Sequence, residues 1–283
     1  MHPDRVGAPG GTDAAATTLE APVFIGGAGR SGTTLLRVML DAHPSLAGGP
    51  EFKTTTDLAR LYATMRKDEG ILGAYRLGDG ALERVFRQFL SGLFAPFLAA
   101  HGARRLVEKT PHNILYLPEL ASICPDARFL HVVRDGRDVA SSLVTMDWRG
   151  SDGRKVSYVT DIDHAFRYWT AVVAKGITDA QSPALRERVW TVRYEDLVRE
   201  PESTLRAVLS FLGEPWSDSV LRYREIDRSN EPLEDSSKQV REPLSTASIG
   251  RWRQTASAAD RALFARVGGE LLRALGYETD EDA

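Results

Sequence analysis

Short apolar runs and helix-like apolar patterns alternate along most of the chain. The runs that predict buried strands are residues 22–26, 105–108, 127–133 and 188–192. Apolar residues spaced three or four positions apart predict helices at residues 33–40, 81–90, 162–174, 201–212 and 258–275. Strands that alternate with helices predict an α/β fold, in which a P-loop-like parallel sheet is covered by helices on both faces.

The length and the composition predict one large domain. The chain has 283 residues, of which 42% are apolar, and this is enough to bury a substantial core. Residues 1–20 lack an apolar run and predict a disordered N-terminal tail, so the single domain is expected at residues 21–283. Residues 227–248 are polar and contain two prolines, which predicts a functional loop or lid.

Charge and cysteine content exclude several classes of function. The formal net charge of −3 provides no overall attraction to nucleic acid or to an anionic membrane. No run of about twenty apolar residues is present, so we expect no membrane span and a cytoplasmic protein. Cys124 is the single cysteine, which excludes an internal disulfide and a cysteine-rich zinc site, and its apolar surroundings predict a buried packing residue.

The sequence Gly-Gly-Ala-Gly-Arg-Ser-Gly-Thr-Thr, residues 26–34, lies between a predicted strand and a predicted helix. Glycines allow the backbone to wrap around an oxyanion, and a helix N-terminus adds unpaired N–H groups and a favourable dipole. The pattern therefore predicts a phosphate-binding loop. In the related loop of nucleoside triphosphatases a lysine follows the last glycine, but Thr33 follows Gly32 here. This difference argues against ATP hydrolysis.

The segment Arg-Ser-Gly-Thr-Thr resembles the 5′-phosphosulfate loop of the sulfotransferases that use PAPS (3′-phosphoadenosine-5′-phosphosulfate). The likeness extends through residues 35–44 and covers most of the chain, and it is greatest to the tyrosylprotein sulfotransferase branch. It implies the sulfotransferase fold and transfer of a sulfuryl group from PAPS to a hydroxyl, with PAP as the product and without a metal. It also implies that the 5′-phosphosulfate is held by Arg30, Ser31, Gly32, Thr33 and Thr34.

A second anion site is predicted where the strand at residues 127–133 ends. An arginine at a strand end and a hydroxyl in the following helix suit a dianionic phosphate. By resemblance, Arg134 and Ser142 bind the 3′-phosphate, and Arg251 replaces a lysine of the family at the same phosphate. Tyr194 is matched to a tyrosine that contacts the donor. A surface ion pair and a helix start are the alternatives for Arg134 and Tyr194.

Three further residues are candidates for the chemistry. Lys109 directly follows a predicted strand, where ligand-facing residues cluster in open α/β sheets, and it resembles the lysine that stabilises the leaving oxygen. Ser236 matches the serine near the sulfuryl group. Glu51 matches the catalytic glutamate of the tyrosylprotein branch, and it is the candidate general base. His43 is the alternative base, because many small-molecule sulfotransferases use a histidine.

The acceptor side of the resemblance is less complete than the donor side. Lys53 replaces the arginine that the tyrosylprotein branch has two residues after the base, which weakens the case for an acidic peptide. The acceptor is therefore expected to be a hydroxyl of peptide tyrosine, of a small molecule, of a carbohydrate or of a lipid. A second copy of the chain is left open as a partner. A small-molecule kinase and a non-catalytic nucleotide-binding protein are the competing functions.

Overall fold

The computed structural model of the chain describes residues 19–78, 80–229, 231–232 and 236–278. Five parallel strands form one sheet in the order β2-β3-β1-β4-β5. The strands β1–β5 are Val23–Gly27, Leu46–Ala47, Arg105–Lys109, Arg128–Val133 and Val189–Arg193. The parallel sheet predicted from the sequence is confirmed.

Helices follow the strands and cover the sheet. In chain order, α1–α12 are Thr33–Asp41, Thr54–Met65, Glu69–Ala74, Ala81–His101, Leu117–Ile123, Gly136–Leu143, Ile162–Ala180, Tyr194–Arg199, Pro201–Leu212, Ser237–Arg241, Trp252–Thr255 and Ala258–Ala274. Short 3₁₀ segments are Pro111–Tyr116, Ser157–Val159, Asp218–Glu225 and Thr246–Ser248. The helix at residues 201–212 matches its prediction at both ends, whereas α4 and α7 extend well beyond theirs.

Alternate residues of each central strand face opposite cores. Val23 and Ile25 of β1 belong to the core that α1 and α9 cover, whereas Phe24 between them belongs to the core of α4, α5, α7 and α12. Side chains on the two sides of a strand point to opposite faces of the sheet, so a continuous apolar run is what a doubly covered strand requires. This explains why the strands show apolar runs rather than alternation.

Two strands differ from the sequence prediction. The run at residues 188–192 was expected to be buried, but β5 is an edge strand, and Trp190 is 42% exposed. Trp190 packs against Phe211 of α9, with ring centroids 5.6 Å apart, which accounts for an apolar residue at an edge. Strand β2 was not predicted, because two residues are too few to show a pattern.

Residues 1–18 of the predicted N-terminal tail lie outside the described residues. Leu19, which the prediction also placed in the tail, is buried, and its N–H donates to Ser91 Oγ at 2.9 Å. Cys124 is fully buried as predicted, and burial raises the pKa of its thiol to about 12. Across the described ranges, no helix combines the length and the apolar character needed to cross a membrane.

Parallel pairing brings the carboxyl ends of the strands to one edge. Ile25 pairs with Lys109, Gly27 pairs with Val132, and Val133 pairs with Arg193. The glycine-rich loop after β1, Lys109 at the end of β3 and Arg134 after β4 therefore meet at this edge.

His131 is a fully buried polar side chain in the middle of the sheet. Burial lowers the pKa of its imidazole to about 4, and neither ring nitrogen has a hydrogen-bond partner among the residues that the structure describes. Its ring is enclosed closely by the helix above, since a Cβ on Gly176 of α7 would lie 2.7 Å from His131 Cε1. The folded protein therefore holds this histidine neutral.

We predict that His131→Leu weakens the pH dependence of the melting temperature between about pH 6.5 and pH 4. Below about pH 6.5 the unfolded chain binds a proton at this histidine, whereas the folded protein does not, so stability is lost as the pH falls towards 4. Removing the group should recover about 1–3 kcal/mol at the acid end of this window. Melting curves across the window test this, with exposed His101→Gln as the control. An unchanged slope for His131→Leu would contradict the assignment.

Candidate active site

The glycine-rich loop between β1 and α1 has a conformation that only its sequence allows. Gly32 adopts a left-handed φ of 95°, and a Cβ at this position would lie 2.4 Å from Cδ2 of Tyr194. Glycine avoids both the backbone strain and the clash. Helix α1 begins at the next residue, Thr33, so its first N–H groups face the loop.

The hydroxyl groups of the loop are buried, and that of Ser31 has no hydrogen-bond partner among the described residues. Ser31 is fully buried, and its Oγ makes no hydrogen bond to any described residue. Thr33 and Thr34 are also buried. A buried hydroxyl without a partner destabilises the fold, whereas an oxyanion in the loop would satisfy it. The loop therefore fits the 5′-phosphosulfate that the resemblance implies.

The Arg30 side chain connects three segments that are far apart in the sequence. Its Nε donates to Ser142 Oγ at 3.1 Å, and its Nη1 donates to Ser236 Oγ at 2.8 Å. Its Nη2 donates to Gln239 Oε1 at 3.3 Å. Arg30 has a left-handed φ of 68°, which a non-glycine residue rarely adopts. This arginine therefore bridges the two predicted phosphate sites rather than serving the first alone.

Arg134 follows β4 and holds both the loop and the late part of the chain. It donates from Nη1 to the Arg30 carbonyl at 3.1 Å and from Nη2 to the Ser248 carbonyl at 2.6 Å. Its guanidinium carbon lies 4.7 Å from the centre of the Tyr194 ring, and the Tyr194 hydroxyl lies 2.8 Å from Ser248 Oγ. The buried Nε of Arg134 has no hydrogen-bond partner in the described part of the chain. This N–H is suited to an anion.

These side chains line a cavity of about 250 Å³, which we call the donor cavity. It contains most of the predicted donor-binding residues, namely Arg30, Gly32, Thr34, Arg134, Ser142, Tyr194, Ser236 and Arg251. Residues of the segment 239–248, which lies within the predicted loop or lid, line part of it. The described lining contains three arginines and two acids, Asp138 and Glu242, so its excess positive charge favours an anionic ligand.

The acids beside Arg134 have structural roles. Asp138 accepts hydrogen bonds from the N–H groups of Gly250, at 2.7 Å, and of Trp252, at 2.9 Å. Asp135 accepts from Nε and Nη2 of Arg137 at 2.9 and 2.8 Å. Arg137 is buried with its guanidinium 4.0 Å from the Trp252 ring centre, so its role is structural. Together these contacts fix the segment that carries Arg251.

Glu51 and Lys109 form an ion pair at the same edge of the sheet. Lys109 Nζ lies 3.1 Å from Glu51 Oε2. The Lys109 side chain is 1% exposed, whereas that of Glu51 is 26% exposed. The carboxylate compensates a buried ammonium while its own surface stays open to an incoming molecule. An ammonium has three N–H donors, so Lys109 can contact a donor oxygen while it holds Glu51.

Helix α1 positions the loop that carries Glu51. Arg37 Nη1 donates to the Gly48 carbonyl at 2.9 Å, and Asp41 Oδ1 accepts from the Gly48 N–H at 2.9 Å. Arg228 in turn pairs with Asp41 at 2.6 Å. Because α1 also begins in the phosphate loop, one helix sets the position of both the loop and Glu51.

His43, the alternative base, is buried with both ring nitrogens engaged. Its Nδ1 accepts the Ser45 N–H at 3.2 Å, which leaves Nε2 to donate to the Pro215 carbonyl at 2.9 Å. The ring is 3% exposed. These two hydrogen bonds fix the turn after α1. Neither ring nitrogen remains available to take a proton from the hydroxyl that would receive the sulfuryl group.

Glu108 is a buried acid that adjoins the ion pair. Thr110 Oγ1 donates to its Oε1 at 2.7 Å, and Asn113 Nδ2 donates to its Oε2 at 2.5 Å. Burial raises the pKa of Glu108 to about 7. The residue holds the backbone after β3, and therefore Lys109, in place.

A group of aromatic side chains beside the phosphate loop was missed by the sequence reasoning. The Tyr168 hydroxyl accepts the Gly29 N–H at 3.1 Å and lies 3.0 Å from His112 Nε2. Tyr158 stacks on Tyr168 with ring centroids 4.1 Å apart. Tyr168 thus connects the residue before Arg30 to the segment after Lys109. In the sequence, Tyr168 lies within the apolar pattern that predicts α7, and this pattern indicates only that a helix packs there. The sequence therefore gave no signal for the contact between Tyr168 and the phosphate loop.

Within the described ranges, no cluster of three or more His, Cys, Asp or Glu side chains is placed to hold a metal ion. The structure thus gathers most of the predicted donor residues around one cavity, and Glu51 and Lys109 lie together at the same edge of the sheet as the phosphate loop.

Comparison with known proteins identifies the family of the chain. Residues 22–218 match the model of the sulfotransferase family. Protein-tyrosine sulfotransferase A of Caenorhabditis elegans is 30% identical over 265 residues, which are 90% of this chain and 67% of the relative. Protein-tyrosine sulfotransferase 2 of Gallus gallus is 34% identical over 243 residues, which are 81% of this chain and 62% of the relative. The chain therefore spans roughly two thirds of these relatives.

Solved structures show the same fold. The sulfotransferase domain of the Synechococcus olefin synthase superimposes with a TM-score of 0.61 at 21% identity, over 92% of this chain and 96% of that one. Mouse sulfotransferase SULT7A1 complexed with PAP superimposes with a TM-score of 0.57 at 13% identity, over 92% and 88% of the two chains. The family match, the fold and the arrangement of the loop residues lead to one conclusion: the chain belongs to the sulfotransferase family.

Proposed function

We propose that this protein transfers a sulfuryl group from PAPS to an acceptor hydroxyl. The observation that carries the proposal is the convergence of the Glu51–Lys109 pair, 3.1 Å apart, with the phosphate loop at one edge of the sheet. The donor cavity adjoins this edge through Arg30 and Ser236. A nucleotide-binding protein without catalysis would not require a base paired with a buried lysine.

The donor residues divide between the two anionic ends of PAPS. The loop hydroxyls of Ser31, Thr33 and Thr34 would hold the 5′-phosphosulfate, with the N-terminus of α1. Arg134, Ser142 and Arg251 would hold the 3′-phosphate. Arg30 contacts Ser142 and Ser236 and would join the two ends. Tyr194 packs against the Arg134 guanidinium and would contact the donor.

Each catalytic residue has a distinct task. PAPS supplies the sulfuryl group, and the transfer requires in-line positioning together with stabilisation of the charge on the leaving oxygen. Lys109, which is shielded from water, provides that positive charge. Glu51 accepts the proton of the acceptor hydroxyl at its partly exposed carboxylate. Ser236, held by Arg30, lies on the lid side and would contact the sulfuryl or the leaving group.

The acceptor is proposed to be a hydroxyl on an aromatic ring. The relatives named above act on protein tyrosine, and Tyr158, Tyr168 and His112 form an aromatic surface beside the phosphate loop. Aromatic rings pack well against such a surface through stacked and edge-to-face contacts.

We predict that PAP raises the melting temperature without added metal, by about 5 °C at about 100 times its Kd. Two anion sites that form only in the folded protein should make this binding selective. ATP lacks the 3′-phosphate and should stabilise the protein much less. Thermal shift with both nucleotides tests the prediction, and equal stabilisation by PAP and ATP would contradict the roles of Arg134, Ser142 and Arg251. Release of ADP from ATP would instead indicate a kinase.

We predict that Glu51→Gln lowers the turnover of a hydroxyl acceptor by about 10²–10⁴-fold while PAP affinity and the fold are retained. The amide keeps the shape of the side chain but cannot accept the proton. Radiolabelled sulfuryl transfer measures turnover, and calorimetry measures PAP affinity.

His43→Ala is the comparison variant for the base. It should lower stability, because two hydrogen bonds are lost, but folded protein should retain its turnover. Near-full activity of Glu51→Gln would remove Glu51 from this role. Loss of turnover in a folded His43→Ala variant that binds PAP would assign the role to His43.

A further inference from the structure

A second cavity, of about 220 Å³, lies between α4 and the loop that carries Glu51. We call it the apolar cavity, and its lining is Gly49, Pro50, Phe52, Leu93, Phe94, Phe97, Leu106, Val107 and Glu108. Among these described lining residues, Glu108 alone has an ionisable side chain. Both of its carboxylate oxygens accept hydrogen bonds from neighbouring residues. The lining therefore offers contacts to hydrocarbon and no cation to an acidic ligand.

The apolar cavity adjoins the proposed catalytic pair through the chain itself. Pro50 and Phe52 immediately precede and follow Glu51, and Glu108 immediately precedes Lys109. The two segments that carry Glu51 and Lys109 therefore also form walls of the apolar cavity. A ligand in the cavity and a hydroxyl at Glu51 can belong to one molecule.

Aromatic rings give the cavity firm walls. Phe52 packs edge-on against Phe94, with ring centroids 5.3 Å apart. The Phe97 ring lies against Gly49, where an added Cβ would be 3.2 Å from Phe97 Cζ. Gly49 thus keeps room for that ring. Such walls suit a flat or extended apolar group.

The cavity opens towards an exposed apolar stripe of α4. Leu93 lines the cavity and is still 37% exposed, and Phe89, one turn earlier on the same helix, is 53% exposed. Val85, a further turn earlier, is 50% exposed. Apolar surface of this kind adjoining a cavity indicates a binding site for an apolar molecule.

We propose that the apolar cavity binds the hydrocarbon part of the acceptor, so that the preferred acceptor is an apolar phenol with an alkyl substituent rather than an acidic peptide. This inference rests on the proposed function and specifies its acceptor. The hydroxyl end meets Glu51, and the substituent extends between Phe52 and α4. Burial of the substituent supplies the binding free energy, which an acidic peptide could not obtain from this lining.

A homologous series of acceptors tests the proposal. With PAPS as the donor, kcat/KM should rise from phenol to 4-hexylphenol by about threefold to fourfold per added methylene until the cavity is filled. Leu93→Asp places a charge at the opening of the cavity and should flatten this dependence. Gln88→Asp places the same charge at an exposed position of α4 outside the lining and serves as the matched control, with the native dependence expected.

The outcomes separate this inference from the proposed function. Transfer to phenol with no gain along the series, or an unchanged slope in Leu93→Asp, overturns the inference and leaves the proposed function intact. A tyrosine peptide with acidic neighbours that is a better acceptor than every alkylphenol also overturns it. Absence of transfer to any hydroxyl, in protein that binds PAP, overturns both.

Discussion

The buried ammonium of Lys109 is the charge on which the arrangement of the site depends. It ends β3 in the interior of the protein, where an uncompensated charge would be strongly destabilising. Glu51 compensates it, and this requirement places the candidate base next to the candidate electrostatic catalyst. Because α1 holds Gly48 through Arg37 and Asp41, the loop of Glu51 is fixed relative to the phosphate loop from which α1 starts. The geometry of the pair is thus a property of the fold.

Arginines provide the second level of organisation, by joining distant segments. Arg30 contacts residues 112 and 206 positions away in the sequence, and Arg134 contacts a carbonyl 114 positions away. Each of these guanidiniums offers several N–H donors, so it can hold the protein together and still bind an anion. The donor cavity is therefore assembled around positive charge, although the whole chain has a net charge of −3.

Local patterns in the sequence were sufficient to predict the sheet, the phosphate loop and the strand-end positions of Lys109 and Arg134. Apolar runs report strands buried on both faces, and a glycine-rich turn before a helix reports anion binding. Strand β2 and the exposed side of β5 could not be predicted, since they depend on neighbours in the sheet. The contacts of Arg30 and Tyr168 were also beyond reach, because each joins segments that only the folded chain brings together. The pairing of Glu51 with Lys109 is a long-range contact of the same kind.

The central claim is that Lys109 stabilises the charge on the leaving oxygen, whereas other residues anchor PAPS. Its most direct test is sulfuryl transfer from labelled PAPS by the Lys109→Ala variant, measured beside PAP affinity. Turnover should fall on the order of 10²-fold or more, with PAP binding much less affected, because the interaction is strongest when charge develops on that oxygen. Lys53→Ala, which removes an exposed lysine near Glu51 in sequence, is the control. An unchanged kcat with weakened PAP binding would contradict this role and make Lys109 an anchoring residue.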